Sequence, residues 1–481
     1  MPTVSLWCPF MAVTAKAGAW TEGGKIEQMK ESEVERPGKF VTLLICILGL
    51  FIPAGVGNAE TPPEIGWIRQ FGTSGYDVAH DVAVNAVGSA YTCGATSGSL
   101  DGAYEGLTNA FVRNYDTTDN LLWSCQFGTA QGDSARSVVT DGLGNLYVTG
   151  STFGNLDGTN ASAEANVYLR EYDSAGTVCW GTQMGSEGSD QVADLAQDAS
   201  GDLYVGGYTY GAFDVPNAGY KDVFLRKYDS SGILAWTRQL GGNENDTVQD
   251  LATDGSGNIY VAGRSSSYKL DGVYLNGSED AFLAKYDSAG DLLWTRRLGA
   301  DNGDFRSDAG GVAVDSLGNA YIVGDTETDL FAPNSGGYSH RDIFLAKYSS
   351  DGSLVWGKQL GDEPSTTTGD FFMDNSGNFY IAGQKSRSTG SFSDSEVFLS
   401  KLDVAGDLLW TREFGTVGAH DYVNGLELDS SGIAYLAGTP YGGLSEVNAG
   451  DLDAYFASIP EPTSLALLCL SGSMLLRHRR K

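Results

Sequence analysis

Residues 250–298 read DLATDGSGNIYVAGRSSSYKLDGVYLNGSEDAFLAKYDSAGDLLWTRRL, and this stretch decides the fold. Runs of about five or six apolar, aromatic and β-branched residues are typical of strands. The Asp-x-x-Gly segments at 254–257 and 287–290 separate these runs and suit tight hairpins, with glycine where the turn needs a positive φ. The stretch therefore predicts short antiparallel strands and no helix.

The same unit occurs seven times between residues 60 and 459. A tryptophan recurs at intervals of 54 to 62 residues, at Trp67, Trp123, Trp180, Trp236, Trp294, Trp356 and Trp410. A Tyr-x-x-Gly strand recurs with it, at Tyr91, Tyr147, Tyr204, Tyr260, Tyr321, Tyr380 and Tyr435. Each unit supplies four strands, which predicts an all-β fold, a seven-bladed β-propeller of four-stranded antiparallel blades. A β-solenoid is the alternative, but its coils are usually shorter.

The two ends of the repeat region predict how the ring closes. The first unit begins with the Trp67 strand, and the last unit ends with the strand at 454–459. Elsewhere that strand forms a hairpin with a tryptophan strand. The N-terminal strand should therefore join the last blade as its outer strand, which removes an exposed edge.

The run Asp280-Ala-Phe-Leu-Ala-Lys-Tyr-Asp287 resembles the hallmark of the SBBP bacterial propeller repeat. The resemblance extends over nearly all of residues 65–457. It implies the same propeller fold for this part of the chain.

Residues 1–59 are predicted to be an N-terminal extension that contains a secretory signal peptide. The apolar run 40–56 follows Arg36 and Lys39 and precedes the small residues that end at Ala59. Positive, apolar and small-residue regions in this order are typical of such peptides, so we expect cleavage after Ala59 and export. A retained membrane anchor is the alternative.

Residues 460–481 form a tripartite tail with Pro460-Glu461-Pro462, an apolar segment and a basic end that contains Arg477, Arg479 and Arg480. A helix over the 13-residue segment 464–476 would span about 20 Å, less than the roughly 30 Å hydrocarbon core. It should contact a membrane only transiently. The tail resembles the PEP-CTERM sorting signal of Gram-negative bacteria. That resemblance implies an exosortase-type protease as partner, release to the cell surface or extracellular matrix, and a link to exopolysaccharide.

The charge of the chain excludes one class of partner. The sequence contains 61 acidic and 30 basic residues, a net charge of −31. Residues 60–462 alone contain 56 acidic and 21 basic residues, a net charge of −35. Such a surface repels phosphate backbones, so we expect no nucleic-acid partner, whereas cations and basic partners are favoured.

Two sets of acidic residues precede strands at the face that carries the variable loops. One set precedes the first strand of each unit: Asp77, Asp133, Asp190, Asp246, Asp308 and Asp421, with Thr366 as the exception. The other precedes the third strand: Asn109, Asn166, Asp222, Asp280, Asp342, Glu396 and Asp453. Loop carboxylates suit Ca²⁺, the one cofactor that we consider. The calcium candidates are Asp77, Asp133, Asp190, Asp246, Asp222, Asp280, Asp342 and Asp453. Because the acids recur in every unit, capping of local turns is the favoured alternative.

Catalytic motifs are scarce in residues 60–459. The histidines are His80, His340 and His420, and none recurs or has a metal-ligand spacing. His80 and His420 belong to blades that adjoin in a closed ring, so a shared site is an alternative to two incidental surface histidines. We find no Gly-x-Ser-x-Gly elbow, P-loop or Rossmann fingerprint, and we predict no catalytic residues.

These observations predict an exported, non-enzymatic propeller at the cell surface or in the extracellular matrix. Its expected function is binding or adhesion to exopolysaccharide or another surface protein through the variable loops between the second and third strands. Two alternatives remain. One is a secreted glycan hydrolase or lyase with its site on the same face, and the other is a spacer without a ligand.

Overall fold

The computed structural model describes Trp7–Cys8, Met11–Ala12 and residues 60–461, except 142–143, 159–163, 214, 271, 275–278, 300–305, 336–339, 362–364, 389–392, 445–448 and 450–451. The predicted signal peptide, the apolar segment 464–476 and Pro462, Arg477, Arg479 and Arg480 lie outside the described residues. Within the described part of the chain, no helix is long and apolar enough to cross a membrane.

The described strands form seven four-stranded antiparallel blades in a ring, which confirms the predicted propeller. Two short strands, β1 (Trp7–Cys8) and β2 (Met11–Ala12), pair with each other. They are followed by β3 (Trp67–Phe71). Blade 1 contains β4 (Asp77–Val84), β5 (Ala90–Thr96), β6 (Asn109–Tyr115) and β7 (Leu121–Phe127). Blade 2 contains β8 (Asp133–Thr140), β9 (Leu146–Thr152), β10 (Asn166–Tyr172) and β11 (Val178–Met184). Blade 3 contains β12 (Asp190–Gln197), β13 (Leu203–Thr209), β14 (Asp222–Tyr228) and β15 (Leu234–Leu240).

The remaining blades repeat this order. Blade 4 contains β16 (Asp246–Thr253), β17 (Ile259–Ser265), a small hairpin of β18 (Lys269–Leu270) and β19 (Val273–Tyr274), then β20 (Asp280–Tyr286) and β21 (Leu292–Leu298). Blade 5 contains β22 (Ser307–Val314), β23 (Ala320–Thr326), β24 (Asp342–Tyr348) and β25 (Leu354–Leu360). Blade 6 contains β26 (Thr366–Met373), β27 (Phe379–Ser388), β28 (Ser393–Leu402) and β29 (Leu408–Phe414). Blade 7 contains β30 (Asp421–Leu428), β31 (Ala434–Pro440) and β32 (Ala454–Ile459). We call the four strands of each blade A to D, from the channel outward.

The N-terminal strand completes blade 7, as predicted. Strand β3 pairs antiparallel with β32, with Trp67 opposite Ser458 and Phe71 opposite Ala454. The ring of Trp67 lies 5.1 Å from that of Phe456, in an apolar cluster between blades 7 and 1. The outer edge of β32 is therefore covered, which removes an unpaired strand edge.

Apolar side chains hold neighbouring blades together. One buried apolar cluster lies between each pair of adjacent blades, and Leu225, Leu251 and Phe282 belong to the cluster between blades 3 and 4. The recurring tryptophan has a defined contact in this arrangement, since Trp236 Nε1 donates to the carbonyl of Ser288 in the next blade at 3.1 Å. The recurrence of tryptophan is therefore explained by its contact with the next blade.

Tight turns occupy one end of the ring, which we call the turn face. In blade 4 the Asp254 carbonyl accepts a hydrogen bond from Gly257 N at 2.9 Å, and Gly257 has a φ of 76°. The Asp254 carboxylate accepts from the backbone N–H groups of Ser256 and Asn258. Connections between strands B and C, and between consecutive blades, lie at the opposite end, the loop face.

The described chain leaves the propeller on the turn face. Strand β32 ends there at Ile459, and Glu461 is the last described residue. The Glu461 carboxylate accepts hydrogen bonds from the Tyr380 hydroxyl and, at 2.7 Å, from the Lys401 ammonium group. Both partners belong to blade 6, so the start of the tail is held against the blade that precedes its own.

Candidate functional site

A β-bulge in each A strand directs one side chain or glycine into the central channel. In blade 1 the register shifts between Ala79 and Asp81, which leaves His80 without an opposite residue. Bulges of this kind re-aim a side chain away from the regular alternation. The bulged residues border one cavity of about 280 Å³, and they are His80, Arg136, Ala193, Gln249, Gly310, Gly369 and Asn424.

Aspartates that follow the bulge tie neighbouring blades together. The Asp81 carboxylate accepts from its own strand through Val82 N at 2.7 Å and from blade 2 through Val138 N at 2.8 Å. Equivalent bonds to the next blade run from Leu251 N to Asp194 (3.0 Å), from Val312 N to Asp250 (2.6 Å) and from Leu426 N to Asp370 (2.6 Å). These carboxylates line the channel and link successive A strands.

The channel carboxylates have raised pKa values. Desolvation by the surrounding protein atoms, then the charge of Asp194, raise the pKa of Asp81 to about 7. Desolvation raises the pKa of Asp370, and the charge of Asp81 adds to it. The same two causes raise the pKa of Glu427, on the turn-face side of the channel. These acids therefore keep their protons to a higher pH than exposed carboxyl groups do.

A second cavity of about 350 Å³ opens toward the loop face beside blades 2, 3 and 4, and we call it the rim pocket. Its polar lining includes Arg136, Tyr208, Lys221, Thr247, Gln249 and Arg264. Its volume is in the range of small-molecule sites. The rim pocket is therefore a concave site on the loop face that is large enough for part of a small ligand.

Two cations of the rim pocket contact uncharged rings. Arg136 Nη1 lies 3.3 Å from His80 Nδ1, and burial, then the Arg136 charge, lower the pKa of His80 to about 3. His80 is therefore neutral and accepts a hydrogen bond from Arg136. Lys221 Nζ lies 4.2 Å from the ring centre of Tyr208 and 5.5 Å from that of Tyr210, in cation–π range.

Cations on the other side of the channel mouth have acidic partners. Arg341 is paired with Asp325 at 2.8 Å and with Glu327 at 3.3 Å. Arg264, at the edge of the rim pocket, lies 3.6 Å from both Glu279 and Asp308. The cations of blades 4 and 5 thus have acidic partners at the channel mouth, whereas Arg136 and Lys221 of blades 2 and 3 contact uncharged rings.

Aspartates at the start of the A strands cap the preceding connection. The Asp77 carboxylate accepts from Thr73 N at 2.6 Å and from Thr73 Oγ1 at 2.9 Å. Asp133, Asp190, Asp246 and Asp421 accept in the same way from the backbone N–H groups of Thr129, Ser186, Gly242 and Thr416. The assignment of Asp308 to this set is wrong, because Ser307 occupies the equivalent position and Asp308 lies near Arg264 and Arg341.

Acids at the start of the C strands hold the loops that precede them. Asp222 accepts from Ala218 N at 2.8 Å, and Asp342 accepts from Ser335 N at 3.0 Å. Asp453 accepts from Ala449 N at 3.1 Å, whereas Asp280 pairs with Arg297 of strand β21 at 2.6 Å. In the described residues no group of three or more His, Cys, Asp or Glu could hold a metal ion. Calcium binding by the two sets of acids stays a prediction.

Exposed tyrosines form two groups on the loop face. At the junction of blades 7 and 1, Tyr441 is 50% exposed, and its ring lies 5.7 Å from that of Tyr422 and 6.3 Å from that of His420. We call His420, Tyr422, Tyr441 and the neighbouring Tyr76 the seam patch. Beside the rim pocket, Tyr210 and Tyr220 are 47% and 62% exposed. His80 and His420 therefore have different neighbours, Arg136 for the first and tyrosines for the second.

The residues that face the channel were not predicted from the sequence. Their signal is a pair of adjacent polar residues in the middle of an otherwise apolar A strand, as in His80-Asp81, Arg136-Ser137 and Gln249-Asp250. Strict alternation would place one member of each pair in the apolar core. A pair of this kind therefore indicates a bulge.

Family comparison supports the repeat assignment. Residues 122–157, 235–271 and 293–332 match the SBBP family of beta-propeller repeats. These segments confirm the SBBP part of the sequence resemblance. The PEP-CTERM resemblance of the tail stays a prediction.

Two curated proteins are similar to parts of the chain. The regulatory protein FlaEY of Caulobacter vibrioides is 30% identical over 224 residues, which cover 41% of this chain and 23% of that protein. An uncharacterized WD repeat-containing protein of Acanthamoeba polyphaga mimivirus is 20% identical over 380 residues, which cover 61% of this chain and 27% of that protein. The chain spans about a quarter of the length of these relatives.

Among solved structures, a PL25 ulvan lyase, a polysaccharide lyase, is similar over 84% of this chain and 99% of its own, with a TM-score of 0.50 and 11% identity. The same enzyme has been solved with a GlcA(1-4)Rha3S saccharide bound. This likeness shows a shared fold. The prediction that the protein is not an enzyme is wrong as an exclusion, because an enzyme that acts on polysaccharide has this architecture.

Proposed function

We propose that the protein is exported and binds polysaccharide through its loop face. The observation that carries this proposal is the arrangement of exposed tyrosines around the rim pocket and at the seam patch. Tyrosine rings offer flat apolar area with a polar tip, and large exposed aromatic area typically marks a binding site. The apolar faces of sugar rings fit such platforms, and the polar channel mouth supplies hydrogen-bonding groups for hydroxyls.

Export and surface location are part of this proposal. The predicted signal peptide within residues 1–59 and the tail that begins with Pro460 support transfer out of the cytoplasm, and an exosortase-type protease is the proposed processing partner. Exopolysaccharide is the proposed ligand at that location. Another surface protein is the competing ligand, and the binding experiment below separates the two.

The test measures binding of the purified protein to an array of bacterial and plant polysaccharides. Tyr441→Ala and Tyr422→Ala should weaken binding about tenfold, since each removes one aromatic platform. Leu317→Ala is the control, because Leu317 is also a large exposed apolar side chain, at 79% exposure, but lies in a turn on the turn face. Retention of binding in both tyrosine variants, or capture of proteins alone from a matrix extract, would contradict the proposal.

Cleavage of an acidic polysaccharide by β-elimination is the second candidate function. It is favoured by the groups of the rim pocket, where Arg136 can neutralise a uronate carboxylate and the unprotonated ring of His80 lies 3.3 Å from Arg136 Nη1. In this reaction a base removes the proton beside the uronate carboxylate. The electron pair forms a C=C bond as the neighbouring C–O bond breaks, and the departing oxygen takes up a proton. The ulvan lyase with the shared fold gives a precedent for such an activity on a propeller.

Product analysis tests this candidate. The protein is incubated with ulvan and other glucuronate-containing polysaccharides, and the ultraviolet absorbance of the unsaturated uronate is followed. A rise in absorbance that His80→Ala and Arg136→Gln abolish would support cleavage. Tight binding with no rise in absorbance and no decrease in polymer length would leave binding as the function.

A further inference from the structure

We propose that the rim pocket binds the anionic group of an acidic polysaccharide, a carboxylate or a sulfate, through Arg136 and Lys221. This inference rests on the proposed polysaccharide function and adds the chemical class of the ligand. It is carried by the distribution of charge around the pocket, by a buried hydroxyl that has no partner among the described residues, and by the burial of the channel below the pocket.

The first observation is that two cations of this acidic protein have no acidic partner among the described residues. Neither Arg136 nor Lys221 forms a salt bridge with any residue in the described ranges. Their contacts are neutral His80 and the rings of Tyr208 and Tyr210, which orient the cations but leave their charge uncompensated. In a chain with a net charge of −31, unpaired cations that face one cavity are available to an anion.

The second observation is a polar group that the protein itself does not satisfy. Thr247 is 7% exposed and borders the rim pocket, and its hydroxyl has no hydrogen-bond partner among the described residues. Buried hydroxyls are normally hydrogen-bonded, because the loss of water without a replacement partner is unfavourable. An anionic oxygen in the pocket would accept this hydrogen bond and those of Arg136 and Lys221 together.

The channel below the pocket limits how far an anion can enter. Asp194 and Asp250 line the deeper cavity, on the same blades as the rim pocket. Burial raises the pKa of both carboxyl groups, and the same desolvation disfavours a second anionic group at this depth. The site therefore fits one anionic group at the rim with neutral sugar around it, which is the charge spacing of an acidic polysaccharide and not that of a nucleic acid.

Four polymers separate the two anionic groups from their neutral counterparts. Hyaluronan carries carboxylates only and is compared with carboxyl-reduced hyaluronan, while dextran sulfate carries sulfates only and is compared with dextran. Calorimetry on the purified protein should show that at least one anionic polymer binds about tenfold more tightly than its counterpart, the size of effect expected for one charged hydrogen bond. Arg136→Gln and Lys221→Gln should each remove that preference.

Two further variants make the test specific. Arg69 lies on the outer strand of blade 7 and is paired with Asp119. Arg69→Gln removes the same charge as the two test variants, and it should leave the preference unchanged. Thr247→Val removes the buried hydroxyl without changing shape, so it should lower affinity for the anionic polymer several-fold while the melting temperature stays the same or rises. This combination is not expected of a purely structural residue.

Each remaining outcome has one meaning. Equal binding of charged and neutral polymers overturns the charge inference alone, and so does a preference that survives both Arg136→Gln and Lys221→Gln. If binding still depends on Tyr441 in that case, the proposed function is retained. Absence of binding to all four polymers and to the polysaccharide array overturns both.

Discussion

Adjacent side chains in the A strands have opposite tasks. The bulged residue faces the channel, as Arg136 does, and the next residue links two blades, as Asp81 does. A regular strand cannot direct two adjacent side chains to the channel side in this way, because its successive side chains point to opposite faces. The extra residue of each bulge therefore makes a polar channel compatible with apolar cores on both sides of every blade.

The raised pKa of Asp81 gives a prediction for stability against pH. Its ordinary pKa is 3.8 and its folded value is about 7, so between these values the folded chain holds a proton that the unfolded chain has released. The contribution of Asp81 to the free energy of unfolding therefore falls as pH rises through this window. Asp370 and Glu427 act in the same direction. We expect a higher melting temperature at pH 5 than at pH 8.

Calorimetric melting checks this prediction with two variants. Asp81→Asn should reduce the difference between pH 5 and pH 8, whereas Asp291→Asn, at an exposed carboxylate distant from the channel, should keep it. Below about pH 4 stability should fall again, because turn carboxylates such as Asp254 have lowered pKa values and lose their contribution on protonation. A melting temperature that rises steadily from pH 5 to pH 8 would contradict the expectation.

Hairpins between strands A and B impose glycine for two distinct reasons. Gly257 has a positive φ in the turn, and Gly263 lies where strands A and B approach closely beside the bulge. A Cβ on Gly263 would lie 2.1 Å from the carbonyl oxygen of Thr247, with the ring of Phe282 at 3.0 Å. The Tyr-x-x-Gly repeat is therefore a packing requirement of the bulged hairpin.

Two alanine substitutions in one hairpin test this requirement. Gly263→Ala should lower the free energy of unfolding by about 3 kcal/mol, since the neighbouring backbone must move. Gly255→Ala, where nothing lies within 4 Å of the added Cβ, should change it by less than about 0.5 kcal/mol. Denaturant titration measures both, and similar losses at the two positions would show that close approach is not the cause.

The turn aspartates are expected to contribute to stability according to their contacts. Asp254 accepts from two backbone N–H groups and from the Asn258 and Tyr260 side chains, and it lies 3.6 Å from Lys285. Asp254→Ala should cost about 2 kcal/mol, because several of these donors are shielded from water. Asp229→Ala removes only two such N–H bonds, in a more exposed turn, and should cost clearly less in the same titration.

The molecule as a whole depends on one strand supplied from the other end of the repeat region. Deletion of residues 60–72 removes β3 and exposes the edge of β32. We expect a lower melting temperature and association of the protein, since an unpaired edge pairs with other chains. Truncation after Glu461 is the control and should leave both unchanged. Light scattering and calorimetry decide the matter, and a deletion variant that stays monomeric and equally stable would contradict the closure argument.

Much of the architecture could be predicted from the sequence, because the same weak strand pattern recurs in every unit. A single Trp236 strand is ambiguous, but seven copies at near-constant spacing leave little choice of fold. The site was less readable. Whether Arg136 faces the channel or the core depends on a bulge, and its closeness to Lys221 depends on the packing of blade 2 against blade 3. Local sequence patterns determine neither the bulge nor the packing between blades. For the same reason the sequence predicts Asp308 at the start of the A strand of blade 5, where the structure has Ser307.

The strand from which the chain leaves the ring has a mechanical consequence. Strand β32 is hydrogen-bonded on both sides, to β31 and to β3, and it runs straight toward Glu461. A pull on the tail acts along the strand, at right angles to these hydrogen bonds, so both ladders carry the force in parallel. The tail and the rim pocket lie on opposite faces. When a molecule tethered by its tail is pulled from its ligand side, the two hydrogen-bond ladders therefore have to shear together. Their hydrogen bonds do not open one at a time.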